Sequence, residues 1–548
     1  MPEENESSPH QRRFAKRSRV MGTNGAVAAS DPLAALAGLK ILMQGGNAVD
    51  AAVTVSLMQN VTNTSSTGIG GDLFMLIYLA KTREVKALNA SGRAPYAATL
   101  EAVEKLGYRG RIPRNSIHAA TVPGATHGYE EALRQYGTMS FKEVLRDPIH
   151  YAEHGYPVSE MTTVGWQLMS RDLGSIPSFK RQFTFDDRTP RPGEIFRNPQ
   201  LARTLRLLAE GGRDAFYRGP IAEAIVRYSD EHGGFFTLRD FADHTSTWVE
   251  PAETTYRGYR VLEAQPNSQG IAALLMLNLL EGFDLRGLGH NSAEYVHLCL
   301  EAKKLAFADR DEYVADPDVV EVPIRKLLSK EYTARRRALI NPDRAADPKP
   351  GDPFEFSDTI YTCAADKQGN VVSLISSLFF GFGCGHVPGE LGFPLQCRGI
   401  GFHLERGHRN CIAPHKRPMH TITPALVLSG ERPLMALGVV GGHMQTQAQQ
   451  QIISNALDFG MSIQEAIDAP RFRHMEGLQG EPQPGVVLDP AIPAETGEGL
   501  KRRGHRLVTP DVLAFWMFGG AQAIRIDPEN GVYQGGSDCR FDGCAMAY

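Results

Sequence analysis

Residues 341–357 read NPDRAADPKPGDPFEFS, and Pro342, Pro348, Pro350 and Pro353 rule out both a continuous helix and a central strand there. Directly afterwards come TIYTCAAD, KQGN and VVSLISS, two runs rich in β-branched and apolar residues around a turn, which is the pattern of a buried hairpin. Thr359 therefore stands where a surface linker becomes buried sheet. Any fold for this chain has to place an accessible segment, residues 341–358, against the edge of its core. The same junction divides the chain into a large part, 21–358, and a small part, 359–548.

A threonine hydroxyl is a weak nucleophile until a base removes its proton. A free α-amino group, with a reference pKa of about 7.7–8, can be that base when threonine is the first residue of a chain. Cleavage between Asp358 and Thr359 would create both groups on one residue. A threonine here is also an ordinary strand residue, so the chemistry needs a second element. Gly441 and Gly442 in LGVVGGHMQTQ offer one, because two successive backbone N–H groups without side chains can receive an oxyanion. Glycine pairs also make plain turns.

Elsewhere, glycine and proline punctuation separates helix-like from strand-like windows and predicts a mixed α/β chain. Asp31 followed by Pro32 starts a helix, Leu36, Leu39 and Met43 recur on one side, and Gly45–Gly46 stops it. A second helix is predicted from Asn47, with Val49, Ala52, Val53, Ser56, Leu57 and Asn60 forming one small-residue face suited to a sheet. Residues 74–78 and 84–88 predict a hairpin around Lys81 and Thr82. Further helices are predicted over 201–211 and 221–232, and from a Ser292 cap to Tyr313.

Composition matters here for what it excludes. A formal net charge of -4 on 548 residues gives no global field to recruit nucleic acid or an acidic membrane. The longest apolar stretch, residues 271–280, is about half a membrane span and is interrupted by Asn278. Residues 1–20 are predicted to be a disordered polar tail with no secretory core; Arg12, Arg13, Lys16, Arg17 and Arg19 read as solvated charge or an anion patch. Seven cysteines without a CxxC pair predict free thiols and a cytoplasmic location, with Cys363, Cys384, Cys397 and Cys411 as small core residues. GIGGD at 68–72 has Leu73 where a dinucleotide loop needs its third glycine and reads as a tight turn. The histidines, including His386, His403, His408, His415, His420 and His443, show no ligand spacing. No metal or cofactor is expected, and the partner is a small amide-containing molecule.

Taken in order, VAASDPLAALAGLKILMQGGNAVDAAV, STGIGGDLFMLIY, VPGATHGY, EAKKLAFADRDEY, DTIYTCAADKQGNVVSL, KRPMHTITPA, GVVGGHMQTQ, LDFGMSIQEAIDAPRF and GGSDCRFDGCA resemble the γ-glutamyltranspeptidase family over nearly the whole chain. The resemblance implies a four-layer αββα sandwich of the N-terminal-nucleophile (Ntn) hydrolase type, built from two intertwined fragments. It also implies self-cleavage between Asp358 and Thr359 and a covalent acyl-enzyme on Thr359. The family's nucleophile matches Thr359 through its spacing to Asp366, Gly369 and Asn370. Its oxyanion glycines match Gly441 and Gly442, and a second hydroxyl that bonds to the nucleophilic residue matches Ser377. Whether the paired fragments form a homodimer stays open.

The pattern departs from the family around the substrate. An arginine near an R-E-x-A-P motif holds the substrate α-carboxylate in the family, whereas NASGRAP here puts Ser91 at that position and Arg93 two residues later. An acidic pair that binds the α-ammonium is replaced by QCRGIGF, with Arg398. A serine pair becomes His420–Thr421, and an asparagine downstream of the nucleophile becomes Phe379. Acyl-transfer chemistry is thus retained while recognition changes, since an unpaired buried charge on a bound zwitterion costs roughly several kcal/mol. NASGRAP, SLFFGFG and KRPMHTI resemble the branch that includes oxamate amidohydrolase and cephalosporin-acylase-like members, whose sites favour an acyl group with a carboxylate or a hydrophobic tail. Arg93 and Arg398 are the candidate cations for a carboxylate, each alternatively a structural ion pair; Ser91, His420 and Thr421 complete the expected binding set. Three readings follow: a γ-glutamyl hydrolase or transferase, an oxamate-type or N-acyl amidohydrolase, and a non-catalytic binding protein of the same fold.

Overall fold

The computed structural model describes residues 14–346, 358–475, 484–509 and 514–548. Most of the expected tail and linker lies outside these residues. What is described of the tail is bound to the body: the Lys16 amide donates to Asp468 Oδ2 at 2.8 Å, Arg19 Nη1 donates to Gln534 Oε1 at 3.0 Å, and Val20 opens the first strand.

Two seven-stranded antiparallel sheets form the centre. The first has the order β18 (Cys544–Ala547), β2 (Gly25–Ala29), β10 (Asp358–Asp366), β11 (Val371–Phe379), β3 (Asp72–Leu79), β4 (Glu84–Ala90), β7 (Thr247–Val249). The second runs β1 (Val20–Gly22), β17 (Tyr533–Ser537), β16 (Ala521–Ile526), β13 (Arg432–Val439), β12 (Ala425–Ser429), β9 (Tyr259–Glu263), β8 (Ala252–Tyr256). Two short ribbons, β5 (Tyr156–Pro157) with β6 (Ile195–Phe196) and β14 (Phe472–Met475) with β15 (Gly485–Leu488), lie apart. The hairpin β10–β11, which follows the 358/359 junction, is inserted between β2 and β3, which precede it. A break at the junction therefore leaves two fragments laced through one sheet.

Strand periodicity explains the layering. Alternate residues of the first sheet, among them Phe74, Leu76, Tyr361, Cys363 and Ile375, face inward to Leu262, Leu426, Leu428, Ala436 and Ile524 of the second. The intervening residues, such as Val27, Met75, Ile77, Ala364, Val372 and Leu374, face outward and are equally buried under helices. A sheet covered on both faces reads as a continuous apolar run, as VVSLISS nearly does. Truncating one of these side chains, Leu374 for example, costs about 2–5 kcal/mol. Between the sheets a Cβ on Gly438 would stand 2.2 Å from the Tyr361 ring, so that position needs glycine.

Helices Pro32–Met43 and Ala48–Thr62 cover the first sheet; Gly270–Leu280 and Met444–Leu457 cover the second, with Ala293–Tyr313 packed outside Gly270–Leu280. This is the expected αββα sandwich. Asp31 accepts from the Ala34 amide at 2.9 Å, and Asn47 forms a capping box with Asp50, as their positions before the helices predict. Ser292 likewise caps Ala293–Tyr313. Helix Ala48–Thr62 differs from expectation. It is buried all round, not on one face, because helices Ala125–Tyr136 and Arg146–His154 cover its other sides. The helix expected over 201–211 runs as Pro199–Tyr217 through a break at Gly212 (φ 56°). The apolar stretch 271–280 is a buried core helix, and no described helix is long and apolar enough to cross a membrane. All seven cysteines are free thiols.

Candidate active site

Asp358 pairs with Phe379 and Ile360 with Ser376, so Ser377 and Leu378 together oppose Thr359. Such a bulge interrupts the ladder and re-aims the side chain. Thr359 Oγ1 donates to Ser377 Oγ at 3.4 Å, and Ser377 Oγ also accepts from the Phe379 amide at 2.8 Å. Phe379 has φ 82°, a left-handed conformation uncommon outside glycine. The far end of the hairpin is fixed by Asp366, whose carboxylate accepts from the amides of Gln368, Asn370 and Ala48 and from Asn370 Nδ2. The spacing from Thr359 to Asp366 and Asn370 thus anchors the nucleophile strand to the N-terminus of helix Ala48–Thr62. Thr359 is buried and borders a narrow cleft shared with Ser66, Val440, Trp516, Phe541 and Asp542.

The glycine pair follows Val440, which lines the same cleft as Thr359. The Val440 amide bonds to the Gly520 carbonyl at 2.9 Å, after which the chain turns through Gly441 (φ 117°) and Gly442 (φ 58°) into helix Met444–Leu457. The pair therefore stands at a helix N-terminus, where backbone dipoles favour negative charge. Two glutamines that the sequence reading did not single out hold this turn. Gln269 Nε2 donates to the carbonyls of Gly442 (3.0 Å) and Thr421 (2.6 Å). Gln445, in the first turn of the helix, accepts from the Thr423 amide at 3.1 Å and donates from Nε2 to Thr359 Oγ1 at 3.4 Å. A polar residue just beyond a glycine pair at a helix start was the available signal for Gln445. His443, between the two, receives Arg310 Nη1 at 2.8 Å; burial and that cation keep its imidazole neutral.

The expected binding residues separate into two groups. Arg93 is engaged elsewhere: Nη2 pairs with Asp318 Oδ2 at 2.9 Å, a carboxylate shared with Arg417, and Nη1 reaches the Thr245 carbonyl at 3.3 Å. This is the structural ion pair that stood as the alternative to a substrate cation at Arg93. Ser91 bonds to Asn89 Oδ1 at 2.6 Å and to Asn267, in the loop that leads to Gln269. Arg398, His420 and Thr421 lie together instead. Arg398 Nη1 donates to Thr421 Oγ1 at 3.0 Å, and its guanidinium lies 4.3 Å from the centre of the Phe379 ring. His420 Nε2 contacts Asp72 Oδ2 at 2.8 Å, and Asp72 Oδ1 accepts from the amides of Gly92 and Gly124 and from Gln396 Nε2. Asp72, read from sequence only as the end of a turn, is Ser377's cross-strand partner and orients His420. Burial, followed by the nearby Arg398 charge, pushes His420 down to about 4, so its imidazole is neutral near pH 7. Burial also pushes Arg398 down to about 10, against the pull of Asp72.

A hydroxyl held at a sheet bulge, a second hydroxyl beneath it and a glycine turn at a helix N-terminus make a constellation suited to acyl transfer. Residues 34–548 match the family model described as Gamma-glutamyltranspeptidase. The chain is 39% identical to the glutathione hydrolase-like YwrD proenzyme of Bacillus subtilis, over 96% of this chain and 99% of that protein. It is 32% identical to the oxamate amidohydrolase proenzyme of Klebsiella pneumoniae, over 97% and 100% of the two chains. The crystal structure of cephalosporin acylase from Bacillus halodurans superposes with a TM-score of 0.91 at 38% identity, covering 99% of this chain and 98% of that one.

Proposed function

The chain belongs to the gamma-glutamyltranspeptidase family, and from that premise we propose that Thr359 is the nucleophile of a self-processing amide hydrolase that works through a covalent acyl-enzyme. In the precursor, Thr359 Oγ1 attacks the carbonyl carbon of Asp358. The C–N bond breaks as the ester forms, and water then hydrolyses the ester to leave an Asp358 carboxylate and a free Thr359 α-amine. That amine takes the hydroxyl proton when Oγ1 attacks a substrate amide, and the proton passes on to the departing amine. Gly441 and Gly442 N–H groups receive the oxyanion, and water or a second amine resolves the ester. The large fragment, 1–358, and the small fragment, 359–548, stay paired through the shared sheet.

The observation that carries this reading is the convergence on Thr359 Oγ1 of Ser377 and Gln445, with Gln445 on the helix that begins at the glycine turn. A γ-glutamyl substrate is one member of the class. A second reading, a small carboxylated or N-acyl amide, is favoured by the engagement of Arg93 with Asp318 and by the serine, Ser91, that stands where the family resemblance expects a carboxylate-holding arginine. The test is a panel of glutathione, γ-glutamyl-p-nitroanilide, oxamate and glutaryl amides, with glutamate, ammonia and p-nitroaniline followed separately. Quenched reactions should show an acyl adduct on Thr359 by mass spectrometry. Hydrolysis without any adduct, or an adduct on another residue, would remove Thr359 from the mechanism.

A further inference from the structure

Two imidazoles and a carboxylate meet beneath the exposed segment 341–346, on elements that the acyl-transfer reading does not use. His297 and Glu301 lie about one turn apart on helix Ala293–Tyr313 and share a face of it. His505 follows helix Ala494–Arg502 and is 208 positions from His297, so no spacing in the sequence announces the group. His297 Nδ1 and His505 Nε2 are 2.7 Å apart, and His505 Nε2 is 4.0 Å from Glu301 Oε1. All three side chains are buried, and their ligand-type atoms lie within 4.8 Å of one another.

The surrounding bonds orient these atoms as those around a bound metal do. A ligating histidine donates its other ring N–H to a carbonyl or carboxylate, which fixes the ring and its tautomer. His297 Nε2 donates to the Asn341 carbonyl at 2.8 Å, so the Nδ1 lone pair is turned towards His505 and Glu301. Glu301 Oε2 accepts from the Ala346 amide at 2.9 Å and Oε1 from Lys304 Nζ at 2.8 Å, and each oxygen keeps a further lone pair. Four-coordinate zinc, with bonds of about 2.0–2.1 Å, sets its ligand atoms about 3.3 Å apart, a value that the separations here bracket. An ion at the centre replaces the hydrogen bond between the two rings, His505 then carrying its proton on Nδ1. The rings part by about 0.6 Å to admit it, so no separate cavity is needed. Two imidazoles and one carboxylate suit zinc, cobalt or nickel, whereas calcium and magnesium take oxygen ligands.

We infer that His297, Glu301 and His505 form a structural site for a zinc-class divalent cation that ties residues 1–358 to residues 359–548. His297 and Glu301 belong to the first of these parts and His505 to the second, so in the cleaved protein the ion bridges two chains. The site itself does not rest on the Thr359 reading, because the uncleaved chain holds the same three residues. Untagged, chelator-treated protein is loaded with Zn2+ or Co2+, both as the wild type and as Thr359→Ala. One ion per molecule should survive dialysis in each, and the urea midpoint should rise because the ion binds the folded state. Co2+ should give the visible band of a four-coordinate nitrogen and oxygen site without a thiolate charge-transfer band. His297→Gln and His505→Gln should each weaken Zn2+ binding by more than about 100-fold, beyond the loss expected for an outer partner. Cys539→Ser should leave the affinity unchanged.

No retained ion, unchanged affinity in a folded His297→Gln or His505→Gln protein, or a thiolate band that disappears in Cys539→Ser would each overturn the inference. If neither glutamine variant folds, zinc-edge X-ray absorption of the loaded wild type decides it. Two imidazoles with oxygen and no sulfur around the ion support the site, and any other ligand set overturns it. A cleaved wild-type protein that retains no ion overturns the site alone. An intact wild-type chain that binds one ion at these residues supports the site and removes only the Thr359 reading.

Discussion

Replacing Ser377 by alanine separates the two tasks its hydroxyl performs. Ser377 Oγ accepts from the Phe379 amide at 2.8 Å and from Thr359 Oγ1 at 3.4 Å, both in buried surroundings. Loss of the first bond leaves a buried N–H without that acceptor, which costs about 1–3 kcal/mol of stability. The second bond is long and neutral, worth about 0.5–1.5 kcal/mol, and its loss should slow self-cleavage between about 2- and 10-fold. The stability effect is read by urea unfolding in a Thr359→Ala background, where both proteins stay uncleaved. The kinetic effect is read from the processing half-time of Ser377→Ala alone. Unchanged stability would refute the bulge geometry at Phe379. A stability loss with processing at the wild-type rate would show that Ser377 only supports the strand and does not act on the nucleophile.

Gly441→Ala places a Cβ 3.3 Å from Gly519 Cα at φ 117°, so the turn has to shift; processing and turnover should both fall by about 10²- to 10³-fold, and normal turnover would exclude Gly441 from the oxyanion site. Gln445→Leu removes the donor to Thr359 and the acceptor for Thr423, so kcat should fall about 2- to 10-fold with KM little changed; a rise in KM alone would place Gln445 in substrate binding instead. His127, His386 and His420 have folded values of about 4 against an ordinary 6.5, in each case chiefly through burial. Between those values the unfolded chain binds more protons than the folded one, so the urea midpoint should fall as pH drops from about 6.5 towards 4. Asp31, raised to about 6 by burial, opposes this, as do Glu130, Glu263, Asp309 and Asp458, which burial also raises, while His244, His443 and His474, lowered by burial, add to it; a higher midpoint at pH 5 than at pH 7 would contradict neutral burial of the histidines.

What was legible in the sequence was local. The Asp31 and Asn47 caps, the hairpin of residues 74–88 and the strand-turn-strand after the linker each depend on neighbours a few residues away, and each is present. The all-round burial of helix Ala48–Thr62 was not legible, because it depends on helices that follow some eighty residues later. The choice between Arg93 and Arg398 was hidden for the same reason. Asp318, which holds Arg93, is 225 positions away, and nothing in QCRGIGF tells that two guanidinium nitrogens are left open. Phe379 read as the loss of a polar residue, whereas its ring lies against Arg398 and its amide binds Ser377. Gln269 and Asp72 act through several bonds to residues far away in sequence and carry no motif of their own.

The central claim is that Thr359 breaks its own peptide bond and thereby becomes an N-terminal nucleophile. Intact-mass analysis of the purified protein tests it most directly. Two polypeptides should be found, the smaller beginning at Thr359, with masses that sum to the precursor plus one water, while Thr359→Ala remains a single chain. A wild-type chain still intact after long incubation, a break at another bond, or a Thr359→Ala protein that cleaves at the wild-type rate would contradict it.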